Sequence, residues 1–514
     1  MPKTFYITTP IYYPNGIPHI GTAYTTIAAD VLARWYRLKE GQSFLLTGTD
    51  EHGQKVEQAA NAQGIPPQKY VDQIAETFKT AWKRLDIHYD DFIRTTERRH
   101  VETVVSMFEQ LLKQGDIFKN YYEGWYCVSD ETFWLESQLI DGKCPNPECR
   151  RPVEWLKEED YFFKLSAYQE QLLDHYAKNP EFVQPETRRK EMLSFINMGL
   201  NDVCVSRKGL GWGIKVPNDP ERSIYVWIDA LINYLSAIGY PKDEAKYSQY
   251  WPADVHLVGK DILRFHSVIW PAMLMALKLP VPKMVFANGW LTMGGCKISK
   301  SRGGHRDLMG LIDEYGADPI RYFLLREASY GEDLDFSETA LVRRLNGDLA
   351  NDLGNLMHRV LSMIHRYFEG KIPAPGPFEA VDLELQKKAS AVFAELDESL
   401  RLLKFREALE AIFARVVAAN KYVDATAPWK LFKDNQKVRL ATVLYTLAEL
   451  LRILAVALHP FLPKSAESIW KSLSIGASIE SASSAEFDWG KLEPGTPVDP
   501  PIPLFKKVEV SDAL

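Results

Sequence analysis

The sequence is poor in cysteine. It has five in 514 residues, odd in number and scattered: Cys127, Cys144, Cys149, Cys204 and Cys296. That excludes a disulfide framework and points to a reducing compartment. No uninterrupted apolar run approaches the ~18 residues of a membrane span. The N-terminal stretch MPKTFYITTPIYYP lacks the long apolar core of a signal peptide and reads directly as a strand. Together these make a cytoplasmic, membrane-free location the expectation. Positive net charge is missing too. A formal charge of −7 argues against a surface that binds polyanions over its whole extent, while leaving room for a local basic site. What remains is an ordinary globular composition, 46% apolar and 25% charged, in a length that suits about three domains.

The first third alternates strands with helices. Residues 4–13 are β-branched and aromatic and end at the turn signal Pro14-Asn15-Gly16. Ile27, Val31, Trp35 and Leu38 then recur at helical spacing. A short apolar strand, Phe44 to Leu46, leads into Thr47-Gly48-Thr49-Asp50-Glu51-His52-Gly53, and helices follow over about 67–85 and 99–113. This rhythm predicts βαβ units and a parallel sheet. Ligands in such sheets sit beyond the C-terminal strand ends, where His19 and Asp50 both fall.

From about 118 to 215 the rhythm breaks into aromatics, glycines and turn residues, which reads as a small inserted β subdomain with short strands. Its Cys127-x-x-Asp130 and Cys144 to Cys149 form only part of a zinc-knuckle pattern. Structural zinc takes four ligands in tight pairs, so a metal-free subdomain is expected and no metal ligand is assigned. The α/β pattern resumes with an expected strand over Ile224-Tyr225-Val226-Trp227-Ile228, then strands at Val255–Val258 and Met284–Asn288. After about Phe336 the apolar spacing is helical throughout, with a Pro-rich joint at 373–377 and a Ser-, Gly- and Pro-rich tail after Ser472. The expected boundaries are 1–117 and 216–336 for the two halves of a Rossmann-like domain, 118–215 for its insertion, 337–472 for a helical bundle and 473–514 for the tail.

One loop stands out. Lys297-Ile298-Ser299-Lys300-Ser301 alternates cations with hydroxyls and is flanked by Gly294, Gly295, Gly303 and Gly304. Clustered ammonium groups and close-approaching backbone suit a polyphosphate. A short basic run by itself marks solvated surface as readily.

The company it keeps decides the matter. PIYYPNGIPHIG followed by KISKS resembles the paired signature motifs of class I aminoacyl-tRNA synthetases. YYPNG, TGTDEHG, YVWIDA, GKDILRFH, NDLGNLMHR and NKYVDATAPW resemble the methionyl-tRNA synthetase family, in its short bacterial or organellar form. The resemblance runs from residue 10 to 429 in the right order. It implies an α/β fold: a Rossmann-like parallel-sheet catalytic domain with an inserted subdomain, followed by an all-α anticodon-binding bundle. It also implies a reaction, the ATP-dependent joining of L-methionine to tRNA(Met) through methionyl adenylate, with Mg2+ accompanying ATP.

Site residues follow from the same resemblance. Catalysis falls to His19, Lys297 and Lys300. ATP would be held by His19, Gly21, Thr22, Gly259, Asp261, Lys297, Ser299 and Lys300. Lysines neutralise the charge that develops on departing pyrophosphate, Gly21 clears room for adenine or ribose, and Asp261 accepts from ribose hydroxyls. Methionine needs an anion for its ammonium group, supplied by Asp50. It also needs a soft apolar cavity, lined by Ile11, Tyr13, Trp227, Ala230, Leu231, Tyr234, Ile262 and His266, where aromatic rings suit a thioether and His266 or Tyr13 would donate weakly to sulfur. Asn355 and Arg359, four apart on one helix face, would read anticodon base edges, and Trp429 would stack an unpaired base.

Two departures from the family pattern are visible. Thr22 stands where a second histidine is usual, and Ile298 where methionine is common. A relative specific for another apolar amino acid would carry a larger editing insertion than the roughly 100 residues between 118 and 215. A non-catalytic tRNA-binding protein on the same scaffold would have no need of Asp50, Lys297 and Lys300. With no further β-barrel after the helical region, a monomer is expected.

Overall fold

The structure is a computed structural model. It describes residues 4–14, 16–129, 132–134, 136–146, 149–293, 296–297 and 307–509; at 122, 123, 132, 133, 137, 156–158, 296 and 297 it describes the backbone alone. Six strands of the described residues form one parallel sheet: β1 (Phe5–Tyr12), β2 (Ser43–Thr49), β3 (Asp91–Arg94), β4 (Val183–Gln184), β5 (Val255–Gly259) and β6 (Val285–Asn288). Their order across the sheet is β3-β2-β1-β5-β6-β4. The chain runs outward from β1 in one direction through β2 and β3, and in the other through β5 and β6. The strand order therefore reverses between β1 and β5, where α/β sheets open a crevice for ligands. Residues 5–8 and 43–49 are buried on both faces, as a covered parallel sheet requires. In β1 the register against β2 slips by one residue between Thr8 and Ile11. Pro10 lies in that slip, and a residue without an N–H belongs at such a break.

Three long helices cover the sheet's first half: α1 (Ile20–Glu40), α2 (Pro67–Arg84) and α3 (Arg98–Gln114). The next element differs from its sequence reading. The run 224–228 is not one strand. Its pairing ends at Ile224, and Val226–Leu231 forms a short helix, α4, entered through extended Tyr225. Five consecutive apolar residues carry no periodicity that separates strand from buried helix, and here tertiary packing decides. The stretch expected as short strands is also richer. Ile117–Cys127 and Glu154–Phe163 form a long antiparallel hairpin, and helices Gln169–Lys178 and Glu186–Asn197 flank β4, which returns to the main sheet.

The helical part contains α5 (Asn355–Phe368), α6 (Ala380–Arg401), α7 (Phe405–Thr426), α8 (Pro428–Lys433) and α9 (Lys437–Leu458). By length and mean hydropathy α9 passes as a membrane span, which the absence of uninterrupted apolar runs had seemed to exclude. From Leu440 to Leu458 it is buried throughout inside the protein. Its buried Glu449 is paired with Arg452 at 2.7 Å and accepts from the backbone N–H groups of Gly490, Lys491 and Leu492, so the tail after residue 472 folds back onto it.

A polar hub joins the two parts. Fully buried Arg321 donates to Asp30 on α1 at 2.7 Å and to the carbonyls of Phe461 and Pro460, both at 2.8 Å, beyond the end of α9. Arg34 on α1 pairs with Asp30 at 3.0 Å and with Glu480 of the tail at 3.2 Å.

Candidate active site

A cavity of about 1020 Å³ opens where the strand order reverses. It brings together fourteen of the candidate residues: Ile11, Tyr13, His19, Gly21, Thr22, Asp50, Trp227, Ala230, Leu231, Tyr234, Gly259, Asp261, Ile262 and His266. The β1–α1 connection supplies the first wall. His19 is the N-cap of α1: its Nδ1 accepts from the Gly21 N–H at 3.1 Å, which leaves the ring proton on Nε2. No acidic residue occupies the first turn of α1, so the positive end of a 21-residue helix faces an incoming anion unopposed. Thr22 completes the cap, accepting from the His19 N–H at 3.1 Å and donating its one hydrogen to the His19 carbonyl at 2.7 Å. The hydroxyl that sequence comparison offered to ATP is thus committed to the helix start. A Cβ on Gly21 would lie 3.0 Å from the His19 ring, so what this glycine clears is the histidine. Likewise a Cβ on Gly259 would lie 2.5 Å from the carboxylate of Asp261, which stands exposed at the cavity mouth.

The second wall is the loop after β2. Asp50 is buried and donates its N–H to the Tyr12 carbonyl at 3.0 Å. Its neighbour Glu51 is fully buried, accepting from Thr49 Oγ1 and Arg94 Nε, both at 2.7 Å. The turn closes at Gly53, whose φ of +111° few side chains tolerate. A Cβ there would also strike the Tyr13 hydroxyl.

The third wall is α4 and the segment after β5. Trp227 stacks on Phe265 with centroids 3.9 Å apart. His266 Nδ1 donates to the Ile262 carbonyl at 3.0 Å, and its Nε2 accepts from the Tyr234 hydroxyl at 2.8 Å. Burial drives this imidazole down to about 4, so it is neutral near pH 7. The Tyr13 hydroxyl donates to the His52 carbonyl at 3.0 Å. Both donors expected for a thioether are therefore used within the protein, and His266 and Tyr13 offer the cavity shape and polarisable surface instead.

The basic loop is described only at its entry. Lys297 pairs by its backbone with Thr292, next to cavity-lining Leu291. The Lys297 side chain and Ile298, Ser299, Lys300 and Ser301 lie outside the described residues, and so does Asp130 of the knuckle. The sulfurs of Cys127, Cys144 and Cys149 gather within 4.8 Å of one another, close enough for three corners of a tetrahedral metal site. Trp134, Pro145 and Asn146 of the same subdomain line the cavity mouth.

In the helical part, Asn355 is exposed at the start of α5, and Arg359 pairs with Asp424 near the end of α7 at 2.8 Å. Ala427, in the left-handed region, then turns the chain into α8, which presents a half-exposed Trp429. Tyr367 of α5 stacks on half-exposed Phe432 of α8 with centroids 4.3 Å apart, locking the two helices together.

Residues 5–361 match the family model described as tRNA synthetases class I (M), and residues 372–513 match the anticodon binding domain of methionyl tRNA ligase. The chain belongs to the methionyl-tRNA synthetase family. It is 52% identical to a methionine–tRNA ligase of Caldanaerobacter subterraneus, covering 100% of this chain and 80% of that one. It is 49% identical to one of Clostridium acetobutylicum, covering 99% and 79%. Among solved structures, the Mycobacterium tuberculosis methionyl-tRNA synthetase in complex with methionyl-adenylate superposes with a TM-score of 0.93 at 43% identity, over 98% of this chain and 99% of that one. The apo form of the same synthetase gives 0.87 at 40% identity, over 99% of each chain.

The family's signature segments led to fourteen cavity residues. They did not lead to Phe265, to Trp290 with the Lys260 ammonium 3.9 Å above its ring, or to the buried histidines behind the second wall. An aromatic or a histidine alone is core more often than site. For Lys260 a signal existed, since it falls between Gly259 and Asp261.

Proposed function

We propose that this chain activates L-methionine with ATP, supplied as its magnesium complex, and transfers the methionyl group to tRNA(Met), releasing AMP and pyrophosphate. The product serves protein synthesis, including initiation. The observation that carries the reading is the convergence, at one strand-order reversal, of a helix N-terminus capped by histidine, a buried carboxylate and a neutral aromatic pocket.

Each part has a chemical task. Asp50 pairs with the substrate ammonium group, and its burial raises the strength of that pairing. Trp227, Ala230, Leu231, Tyr234, Ile262 and His266, with Ile11 and Tyr13, enclose the thioether without offering it a charge. The carboxylate of methionine attacks the α-phosphate of ATP; His19 donates from Nε2 to a phosphate oxygen, and the end of α1 adds its N–H groups. Asp261 accepts from ribose hydroxyls beside Gly259. Lys297 and Lys300, with Ser299, stabilise the leaving pyrophosphate. Asn355, Arg359 and Trp429 bind the anticodon, where Arg359 exchanges Asp424 for a base edge. A monomer in the cytoplasm is part of the same proposal.

Exchange of labelled pyrophosphate into ATP tests the reading. It is expected with methionine and magnesium and not with leucine or isoleucine; no exchange would sink the catalytic claim. Trp429→Ala is expected to weaken tRNA charging while leaving the exchange intact.

A further inference from the structure

Behind the second and third walls of the cavity lies a buried carboxylate that no role above employs. Asp229 of α4 is fully buried. Its two oxygens take two histidines from different parts of the chain: Oδ2 meets His52 Nδ1 at 2.7 Å, and Oδ1 meets His100 Nε2 at 2.7 Å. His100 is fully buried on α3, and its other nitrogen, Nδ1, meets Ser236 Oγ at 2.9 Å. Burial opposes ionisation of Asp229, but the two histidines outweigh it and hold the carboxyl at about 2. A buried carboxylate left without such partners would be strongly disfavoured.

The position of this cluster gives it a meaning beyond stability. His52 lies two residues after Asp50, in the turn that also takes the Tyr13 hydroxyl on its carbonyl. Asp229 lies between Trp227 and Ala230 on α4. The His52–Asp229 contact therefore ties the loop that carries the ammonium anchor to the helix that carries the side-chain pocket, across 177 residues of sequence. On that side the loop is also held by Trp212. Trp212 Nε1 donates to the Glu51 carbonyl at 2.6 Å, and Gly53 donates to the Trp212 carbonyl at 3.1 Å, but Trp212 belongs to neither wall. α4, in contrast, is fixed independently by buried Val226, Ile228 and Leu231.

From this geometry we infer that Asp229 is a positioning residue: with His52 and His100 it sets the distance between the ammonium subsite at Asp50 and the side-chain subsite on α4. This rests on the methionine-activating reading. It makes recognition of the amino group, rather than of the thioether, the property that depends on Asp229.

Two ligands separate these contributions: L-methionine and 4-(methylthio)butanoate, which is methionine without its amino group. Binding of each to the full-length protein is measured by calorimetry. In Asp229→Asn the dissociation constant for methionine is expected to rise about tenfold, the scale of one weakened charge-assisted hydrogen bond. That for the amino-free compound is expected to stay within about twofold, because α4 keeps its own packing. The penalty for lacking the amino group thus shrinks. His100→Gln, which keeps an N–H for Asp229, is expected to stay near wild type, and His100→Leu to reproduce the Asn variant; this pair carries the test if Asp229→Asn does not fold. Parallel weakening of both ligands, or no change in either, overturns the inference. Failure of the wild-type protein to bind methionine would instead overturn the functional reading.

Discussion

At the scale of single residues, the departure at Thr22 has a local explanation. A hydroxyl at this position closes the first turn of α1 by exchanging two hydrogen bonds with the backbone of His19. The cap holds His19 with its Nδ1 turned inward on the Gly21 N–H and its proton on the other side of the ring. In the proposed function, Thr22 acts on ATP through His19 and the shape of the helix start. Thr22→Val removes both bonds at constant volume. It is expected to lower stability in urea unfolding by about 1 kcal/mol and to raise KM for ATP in the exchange assay. Thr22→Ser keeps the cap and is expected to match wild type in both. A valine variant with wild-type stability and ATP affinity would return the position to ordinary surface.

At the scale of elements, the cysteine hairpin shows where sequence spacing misleads. Cys144 and Cys149 stand too far apart along the chain for a tight ligand pair, yet the long antiparallel hairpin beside them returns Cys127, so that its sulfur lies 3.4 Å from that of Cys149. That separation is well beyond a disulfide, at ~2.05 Å. Burial pushes the Cys149 thiol up, which keeps it protonated unless a cation compensates. Zinc is such a cation, and three thiolates meet most of its needs. Protein prepared without chelator is expected to contain about one zinc per chain, with Cys127, Cys144 and Cys149 slow to alkylate until chelator is added. Zinc-free protein whose three thiols react at once would leave the hairpin a metal-free fold. Most other elements were legible. β-branched and apolar runs gave β1, β2, β5 and β6, and helical periodicity gave α1, α2, α3 and the bundle. β4 was not legible, because a two-residue strand leaves no pattern, and α4 hid in a run of apolar residues that fits either periodicity. The Asp229 cluster escaped for another reason. Its members lie 129 and 177 residues apart and each is a lone polar residue until the fold brings them together.

At the scale of the molecule, α1 connects the two ends of the function. Its first residue follows His19 at the cavity; about three turns later Asp30 meets Arg321, which reaches the carbonyls beyond α9, and Arg34 meets Glu480 of the tail. Burial pushes the Asp30 carboxyl up, but Arg34 and Arg321 together outweigh it and hold it below the usual carboxylate range. Arg321 is the member with most at stake, since it serves Asp30 and two carbonyls beyond α9 at once. Arg321→Met keeps the volume but leaves those carbonyls without their donor and Asp30 with a single cation. Breaking a buried pair in this way costs roughly 3–5 kcal/mol. The joint is apolar as well as polar: one buried cluster runs from Ile7, Trp35 and Leu257 on the sheet side to Leu396, Phe405 and Leu450 of the bundle, so the two parts stay packed on each other without the hub. Unfolding in urea is therefore expected to remain one transition at lower urea, with the helical part's tryptophans and the methionine-binding signal lost together. Pyrophosphate exchange is expected to survive in the folded fraction, while tRNA charging, which needs both parts in register, falls further. Both activities reduced alike would mean that the hub stabilises one cooperative unit and sets no geometry between its halves.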